Sequence, residues 1–174
     1  MVPMTDQTGP RGVSPFDPDG IEWQRVSSRL ATARFVLLGI FLGLPLVALV
    51  VLAVLLPQAG PWLWASAAVL AVVVAWSAAV VSRQVRAIGY AERDDDLLIR
   101  KGVMFRSLVV VPYGRMQFVD VTAGPLARRL DISSVQLHTA SPGTDATIDG
   151  LQPADAARLR DRLASRGEAR LAGL

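Results

Sequence analysis

Residue types that carry catalysis are scarce in this chain of 174 residues. It has no cysteine and a single histidine, His138. A thiolate nucleophile, a disulfide and a zinc–thiolate site are therefore excluded. The sequence also lacks the Gly-x-x-x-x-Gly-Lys, Gly-x-Ser-x-Gly and His-Glu-x-x-His patterns. We predict no catalytic residue, no metal site and no cofactor.

The three consecutive acids Asp94–Asp96 are the segment most suggestive of a cation site. Consecutive residues of a strand point to alternate faces, and the spacing of an EF-hand loop does not follow. We interpret them as a solvated turn between two strands. His138 lies on an alternating segment and is interpreted as an ordinary surface histidine.

Two groups of polar residues are candidates for binding. Arg100, Lys101 and Arg106 surround one predicted hairpin, where they either contact a lipid headgroup or are solvated charges. A second group follows the break at Pro112 and is either structural or binds a partner: Tyr113, Arg115 and Gln117. A structural role would include pairing of Arg115 with Asp120. Short sheet edges could also accept a partner strand.

The charge balance argues against nucleic acid as a partner. The net charge is +3, and residues 89–174 carry 12 basic against 11 acidic groups. A nearly neutral domain offers no electrostatic footprint for a phosphate backbone.

A run of 48 residues, Phe35–Ser82, contains no Asp, Glu, Lys, Arg or His. Such a run indicates a membrane protein. We predict transmembrane helices over 35–56 and 62–81, joined by an uncharged turn with a proline at each end. The segment from Gly20 to Arg34 reads as a short juxtamembrane helix, with Trp23 at the membrane interface.

Arginines flank the predicted hairpin on one side of the membrane. Five of them set the topology: Arg25, Arg29, Arg34, Arg83 and Arg86. The turn between the helices has no charge, so the positive-inside rule places both termini in the cytoplasm. The expected location is a bacterial plasma membrane, crossed twice.

Small residues suggest how the helices pack. Gly39 and Gly43 form a Gly-x-x-x-Gly step in the first helix, and the second carries an i+4 ridge of Ala67, Ala71, Ala75 and Ala79. Small residues allow close approach of helix backbones in lipid. These surfaces either meet within one chain or mediate dimers, and the sequence leaves both open.

Beyond Arg86 the sequence changes to short strand-like runs. Strands are predicted over 88–93, 97–100, 103–111 (with a buried run 108–111), 116–122 (with a bulge), 133–139 and 146–148, with a helical turn near 124–130. An amphipathic helix is predicted over 150–166, with Ala156, Leu159 and Leu163 as its apolar stripe. One helix capping six or seven strands is the plan of a pleckstrin-homology-like barrel or sheet.

Several segments carry a family resemblance: 97–102, 111–117, 124–126 and 135–140, with the Pro-Tyr-x-Arg-x-Gln run as the most distinctive. With the preceding helix pair, the chain resembles the membrane-anchored bacterial pleckstrin-homology family of the YdbS-like kind, over about residues 25–166. The resemblance implies a pleckstrin-homology barrel at the plasma membrane without known enzymatic activity, often beside a larger membrane protein with several such domains. It supplies no catalytic or ligand residues.

The expected organisation has four parts. A disordered tail covers 1–20, the juxtamembrane segment and hairpin 21–88, the cytoplasmic domain 89–166 and a C-terminal tail 167–174. The expected function is a non-enzymatic scaffold, or a subunit of a membrane complex, whose partner is a related membrane protein or a second copy. The alternative is a sensor of anionic lipid headgroups at the inner leaflet.

Overall fold

The computed structural model describes residues 20–140 and 145–171. The predicted disordered tail, apart from its last residue, lies outside the described residues, and so do residues 141–144 and the end of the predicted C-terminal tail, 172–174. The first long helix consists of α1 (Arg29–Leu38), a π-turn (Gly39–Gly43) and α2 (Leu44–Leu55). A short 3-10 turn (Pro57–Ala59) leads into α3 (Gly60–Arg86).

Both long helices exceed the predicted membrane segments. Each runs for 27 residues, Arg29–Leu55 and Gly60–Arg86, with the length and apolar composition to cross a membrane. The extra turns lie at the arginine-rich end, so the helices continue past the charge-free run toward the β-sheets. The predicted helix over Gly20–Arg34 is correct only from Arg29 onward.

The π-turn has a local cause. Pro45 cannot donate a backbone hydrogen bond, and its ring crowds the carbonyl four residues earlier. The wider turn at Gly39–Gly43 directly precedes it. Such local adjustments let membrane helices tolerate proline.

The β-strands form two antiparallel sheets. The first has the order β1 (Gln24–Arg25), β2 (Gly89–Glu92), β3 (Asp96–Lys101) and β4 (Ser107–Pro112). Residues before the membrane helices therefore pair with residues after them: Gln24 lies opposite Tyr90, and Arg25 opposite Gly89. This strand replaces the N-terminal part of the predicted juxtamembrane helix, and Trp23 directly precedes it.

The second sheet has the order β5 (Met116–Thr122), β6 (Ser133–Thr139) and β7 (Ala146–Leu151). The bulge predicted in β5 is present between Met116 and Phe118. Strand β6 alternates strictly between buried and half-buried residues, as its period of two predicted. The short helix α4 (Pro125–Arg129) precedes β6.

Helix α5 (Pro153–Leu171) packs against β5 and β6. Its buried stripe consists of Ala156, Leu159 and Leu163, as the sequence predicted. It begins at Pro153 rather than Gly150, because Gly150 belongs to β7, and it continues to Leu171 through part of the predicted tail.

Two hydrophobic clusters organise the described chain. The domain core joins both sheets to α5 and includes Leu97, Val135, Ile148 and Leu163. The junction core joins the ends of the membrane helices to residues around α4: Leu30, Ala33, Val85, Ile88 and Ile132. The second core fixes the hairpin to the β-domain.

Three predictions for the β-domain need correction. The strand predicted over 103–111 begins only at Ser107, because residues 102–106 form the turn between β3 and β4. The sheets are open and do not close into a barrel. The run Leu108–Val111 is not a fully buried strand, since Val110 is 44% exposed and Val111 alone is buried. Strand β4 is an edge strand of its sheet, with β3 as its neighbour among the described strands.

Candidate functional site

The β3–β4 hairpin holds the predicted basic group, but its three members differ. The Arg100 guanidinium lies 4.5 Å from the centre of the Trp23 ring, a cation–π contact across the sheet. Lys101 is half-buried at the end of β3, and Arg106 is exposed before β4. Arg100 therefore ties the N-terminal strand to the domain, while Lys101 and Arg106 flank the hairpin tip.

The hairpin tip (Val103–Phe105) is apolar and exposed. Met104 and Phe105 are 81% and 87% exposed. Gly102 has a φ of +92°, and a Cβ there would lie 1.9 Å from the Phe105 carbonyl oxygen. Glycine is required at this turn because an L side chain fits neither the dihedral angle nor the space.

Tyr113 has an interior role. It is fully buried, and its hydroxyl donates a hydrogen bond of 2.9 Å to the Arg93 carbonyl. Arg166 Nη1 donates to the Tyr113 hydroxyl at 2.8 Å and to the same carbonyl at 2.7 Å. Burial raises the pKa of Tyr113, and Arg166 opposes this by stabilising the phenolate. The side chain thus faces the core and is not available to a partner.

Tyr113 belongs to a row of contacts along α5 that we call the arginine ladder (Arg158, Arg162 and Arg166). Arg162 lies 3.4 Å from the nearly buried carboxylate of Glu92. Arg158 hydrogen-bonds the Tyr90 phenol, whose pKa is raised mainly by burial and also by Asp155. The ladder was missed in the sequence, although its i, i+4, i+8 spacing is the available signal.

Arg115 and Gln117 lie on the surface beside Tyr113. Arg115 ends a 3-10 turn, and its carbonyl accepts a hydrogen bond from the Ala140 amide at 3.3 Å. The predicted pairing partner Asp120 lies 4.0 Å from His138 Nε2. Gln117 is exposed at the bulge of β5.

A groove lies between β5 and α5, and Gln117 is on its wall. We call it the β5–α5 groove; its volume is about 280 Å³. Met116, Val119 and Leu163 supply apolar lining, while Arg160 and Glu168 add charged groups. Within the described residues, β5 pairs with β6 on one side and with no strand on the other. An unpaired strand edge beside an apolar groove can receive an extended peptide.

His138 lies between two carboxylates. Its Nδ1 is 3.2 Å from Asp145, and its ring stacks on Phe118 with centroids 4.3 Å apart. Asp145 also accepts a hydrogen bond from the Thr139 amide at 2.9 Å. Across the described ranges, no group of three or more His, Cys, Asp or Glu residues is arranged to hold a metal.

The five topology arginines lie at the end of the hairpin nearest the sheets. Arg29 Nη1 forms an ion pair of 2.8 Å with Asp131, and Arg34 Nη1 donates to Gln84 at 3.4 Å. Arg25 lies in β1, and Arg83 and Arg86 lie in the last turn of α3. The structure thus places these five residues at or near the sheet end of the helical hairpin.

The small residues of the two membrane helices do not form a common interface within the chain. Ala67 is buried, but Ala71, Ala75 and Ala79 are exposed. A Cβ added at Gly39 or Gly43 would meet nothing within 4 Å outside the local helix backbone. The open glycine and alanine faces therefore lie mostly outside the intramolecular contact.

Comparison with known proteins identifies the family. The family described as Bacterial PH domain matches residues 30–167, which includes both membrane helices and the β-domain. The UPF0699 transmembrane protein YdbS of Bacillus subtilis (strain 168) is 32% identical over 74 residues. That match covers 42% of this chain and 45% of the relative, less than half of either. No solved structure matches the chain.

The YdbS-like resemblance is thereby confirmed. The description of this relative as a transmembrane protein and the two long apolar helices of this chain both support a membrane location. Since the family match extends over well more than half of the sequence, the chain belongs to the bacterial PH domain family.

Proposed function

We propose that the chain is a non-enzymatic interaction module held at the membrane by its helical hairpin. The observation that carries this proposal is the β5–α5 groove beside the unpaired edge of β5. The groove has an apolar lining and few polar groups, which suits the docking of a peptide better than chemistry on a small molecule.

The bound segment would be an extended strand of another membrane protein. Its backbone would hydrogen-bond to the free edge of β5, and one apolar side chain would fill the space near Met116 and Leu163. Arg160 and Glu168 line the groove and would favour a segment carrying both charges. The partner is a membrane protein with related domains or a second copy of this chain.

The hairpin would place this groove at the inner face of a bacterial plasma membrane. The grouping of the five arginines at the sheet end of the helices supports a cytoplasmic location for the domain and both termini. The open faces at Gly39 and Ala75 would allow a partner's membrane helices to approach closely as well.

The test uses the full-length chain in native membranes with a photo-crosslinking amino acid at Gln117. We expect one membrane-protein adduct, which the substitution Ala164→Arg abolishes because Ala164 is exposed and lines the groove. Ala169→Arg, on the same helix outside the groove lining, is the matched control and should leave the adduct unchanged. An adduct that survives Ala164→Arg would contradict the groove as the docking site.

A second candidate function is recognition of anionic headgroups by Lys101 and Arg106. Their position on either side of the hairpin tip favours it, while Arg100 is engaged with Trp23. Basic residues near an anionic surface contribute about 1 kcal/mol each. Lys101→Gln combined with Arg106→Gln should reduce anionic lipid retained by the purified protein in native mass spectrometry. Arg128→Gln, in α4, should not reduce it.

A further inference from the structure

The exposed apolar tip of the β3–β4 hairpin does not line the β5–α5 groove. We propose that Val103–Phe105 inserts into the headgroup–acyl boundary of the same bilayer that holds the two helices. The domain would then be held at the membrane by three elements instead of two. This inference is independent of the groove and of its partner.

The exposure of the tip is the first support. Val103, Met104 and Phe105 are 41%, 81% and 87% exposed, although all three are apolar. Phe105 and Met104 stand outside both hydrophobic clusters. Three adjacent large apolar side chains in water are unfavourable, and flanking by basic residues is typical of segments that enter a membrane interface.

Strand register places the tip at the membrane end of the sheet. Gly89 follows the end of α3 by three residues and lies opposite Arg100. Arg25, which also lies opposite Gly89, precedes the start of α1 by four residues. The chain therefore enters and leaves the membrane helices at the same end of the sheet at which β3 turns into β4. Three residues past Arg100 extend the hairpin by about 10 Å at the usual rise of a strand.

The two ends of the first sheet differ in charge, and the end with the hairpin tip is the more basic one, which an anionic leaflet would attract. Lys101 and Arg106 lie at the tip end, together with Arg25 and Arg86. The turn at the opposite end, between β2 and β3, contains Arg93 and the acids Asp94 and Asp95, and β3 starts there at Asp96, so this end is acidic on balance. The cytoplasmic leaflet attracts the first end and repels the second.

The geometry of the turn keeps the apolar side chains together. The positive φ of Gly102 and the close approach of the Phe105 carbonyl define a tight loop between Lys101 and Ser107, which pair across the hairpin. A tight loop presents Val103, Met104 and Phe105 as one wedge. Because the loop already has this shape, burying its apolar area in the bilayer would cost little additional conformational entropy.

The experiment measures the depth of the tip in a bilayer. The chain has no cysteine, so Met104→Cys introduces a single thiol for an environment-sensitive fluorophore. The full-length variant is reconstituted at low protein density in vesicles containing phosphatidylglycerol, with nitroxide groups at the headgroup or along the acyl chain. Asp94→Cys, an exposed position in the opposite turn, is the matched control.

We expect the label at position 104 to be quenched by a shallow acyl-chain nitroxide and protected from iodide in water. The label at position 94 should show the reverse. Adding Phe105→Asp should shift the label at 104 toward iodide, because a carboxylate does not enter the apolar boundary. Gly102→Ala should produce the same shift by disrupting the loop.

Three results would overturn the proposal. The first is equal iodide access at positions 104 and 94. The second is protection of position 104 from both iodide and lipid nitroxides, which would indicate contact with protein. The third is unchanged depth after Phe105→Asp. Ala164→Arg, which blocks the groove, should leave the depth unchanged, so failure of this proposal and failure of the groove proposal are distinguishable.

Discussion

The domain core and the junction core are built from different kinds of contact. The domain core draws its buried residues from residues 90–163, and Leu97, Val135 and Leu163 in it are fully buried. The junction core is smaller, and its buried members keep between 3% and 8% of their surface exposed. Its buried residues come from the start of α1, the end of α3, Ile88 just beyond that end, and Ile132, which directly precedes β6. The first core makes the domain, and the second holds the domain against the membrane helices.

This difference separates two ways in which a substitution can act. Loss of a domain-core side chain should unfold the β-domain while the helices stay in the membrane. Loss of a junction contact should leave the sheets folded but release them from the hairpin. For the tip and the groove, the junction matters because it fixes the position of the β-domain relative to the two long helices.

The largest effect is expected in the domain core, from Leu163→Ala. The side chain is fully buried between α5 and the sheets, so its truncation should lower the free energy of unfolding by about 2–5 kcal/mol. Hydrogen exchange of the β6 amides in the full-length protein measures this loss. Asp161→Ala, an exposed change on the same helix, should leave β6 exchange nearly unaltered. Equal exchange of the β6 amides in the two variants would contradict the contribution of α5 to the domain core.

The next effect is expected at the junction, from Gly150→Ala. Gly150 has a φ of +79°, and an added Cβ would lie 2.7 Å from Leu30 Cβ in α1. The dihedral angle alone costs an alanine about 1–2 kcal/mol. We expect faster proteolysis between β1 and α1 and loss of the hydrogen bond from the Ser27 amide to the Gly150 carbonyl.

Gly124→Ala is the matched control for the junction. A Cβ at Gly124 meets nothing within 4 Å, and its φ is −68°. Proteolysis of this variant should be unchanged. Faster exchange throughout β6 in Gly150→Ala would contradict the separation of the two cores, because a junction change would then have unfolded the domain.

Local patterns in the sequence were sufficient for much of this fold. A long charge-free run has few structural alternatives, so the membrane helices were predictable. The alternation of β6 and the stripe on α5 follow from the periods of strand and helix. The pairing of Gln24 with Tyr90 was not predictable, because it joins segments separated by the whole hairpin.

The candidate sites were less predictable, because residue type does not determine exposure. Tyr113 fitted either a buried role or partner contact until its hydroxyl was found bonded to the Arg93 carbonyl. Phe105 was assigned to a continuous strand because an apolar run at an exposed tip resembles one in a core. Gln117 was a candidate for either a structural role or partner binding, and the structure places it on the wall of the β5–α5 groove. The groove itself depends on how β5 and α5 pack.

A smaller effect is expected from the polar contact of the domain core, in Tyr113→Phe. Loss of one hydroxyl should cost about 0.5–1.5 kcal/mol, since Arg166 still donates to the Arg93 carbonyl. Because burial raises the pKa of Tyr113 in the folded protein, the unfolded chain loses its proton first as the pH passes the ordinary value of 10.0. The wild-type free energy of unfolding should therefore fall above that pH.

Tyr113→Phe should weaken this alkaline loss without abolishing it, because the pKa of Tyr90 is also raised. Thermal melts from about pH 8 to about pH 11, roughly two units below to one unit above the ordinary tyrosine pKa, compare the two proteins. Identical slopes above the tyrosine pKa would mean that Tyr113 does not contribute to the pH dependence. The Tyr90→Phe variant then identifies the remaining titrating group.

The smallest effect is expected from the polar contact of the junction, the ion pair between Arg29 and Asp131. Both side chains are more than half exposed, so the pair should contribute no more than about 1 kcal/mol. Asp131 has a φ of +53°, a conformation that asparagine also tolerates, so Asp131→Asn removes the charge without a backbone penalty. A double-mutant cycle with Arg29→Gln should give a coupling that decreases in high salt. A larger, salt-independent coupling would mean that the junction is held by a specific polar contact, and that its small hydrophobic core is secondary.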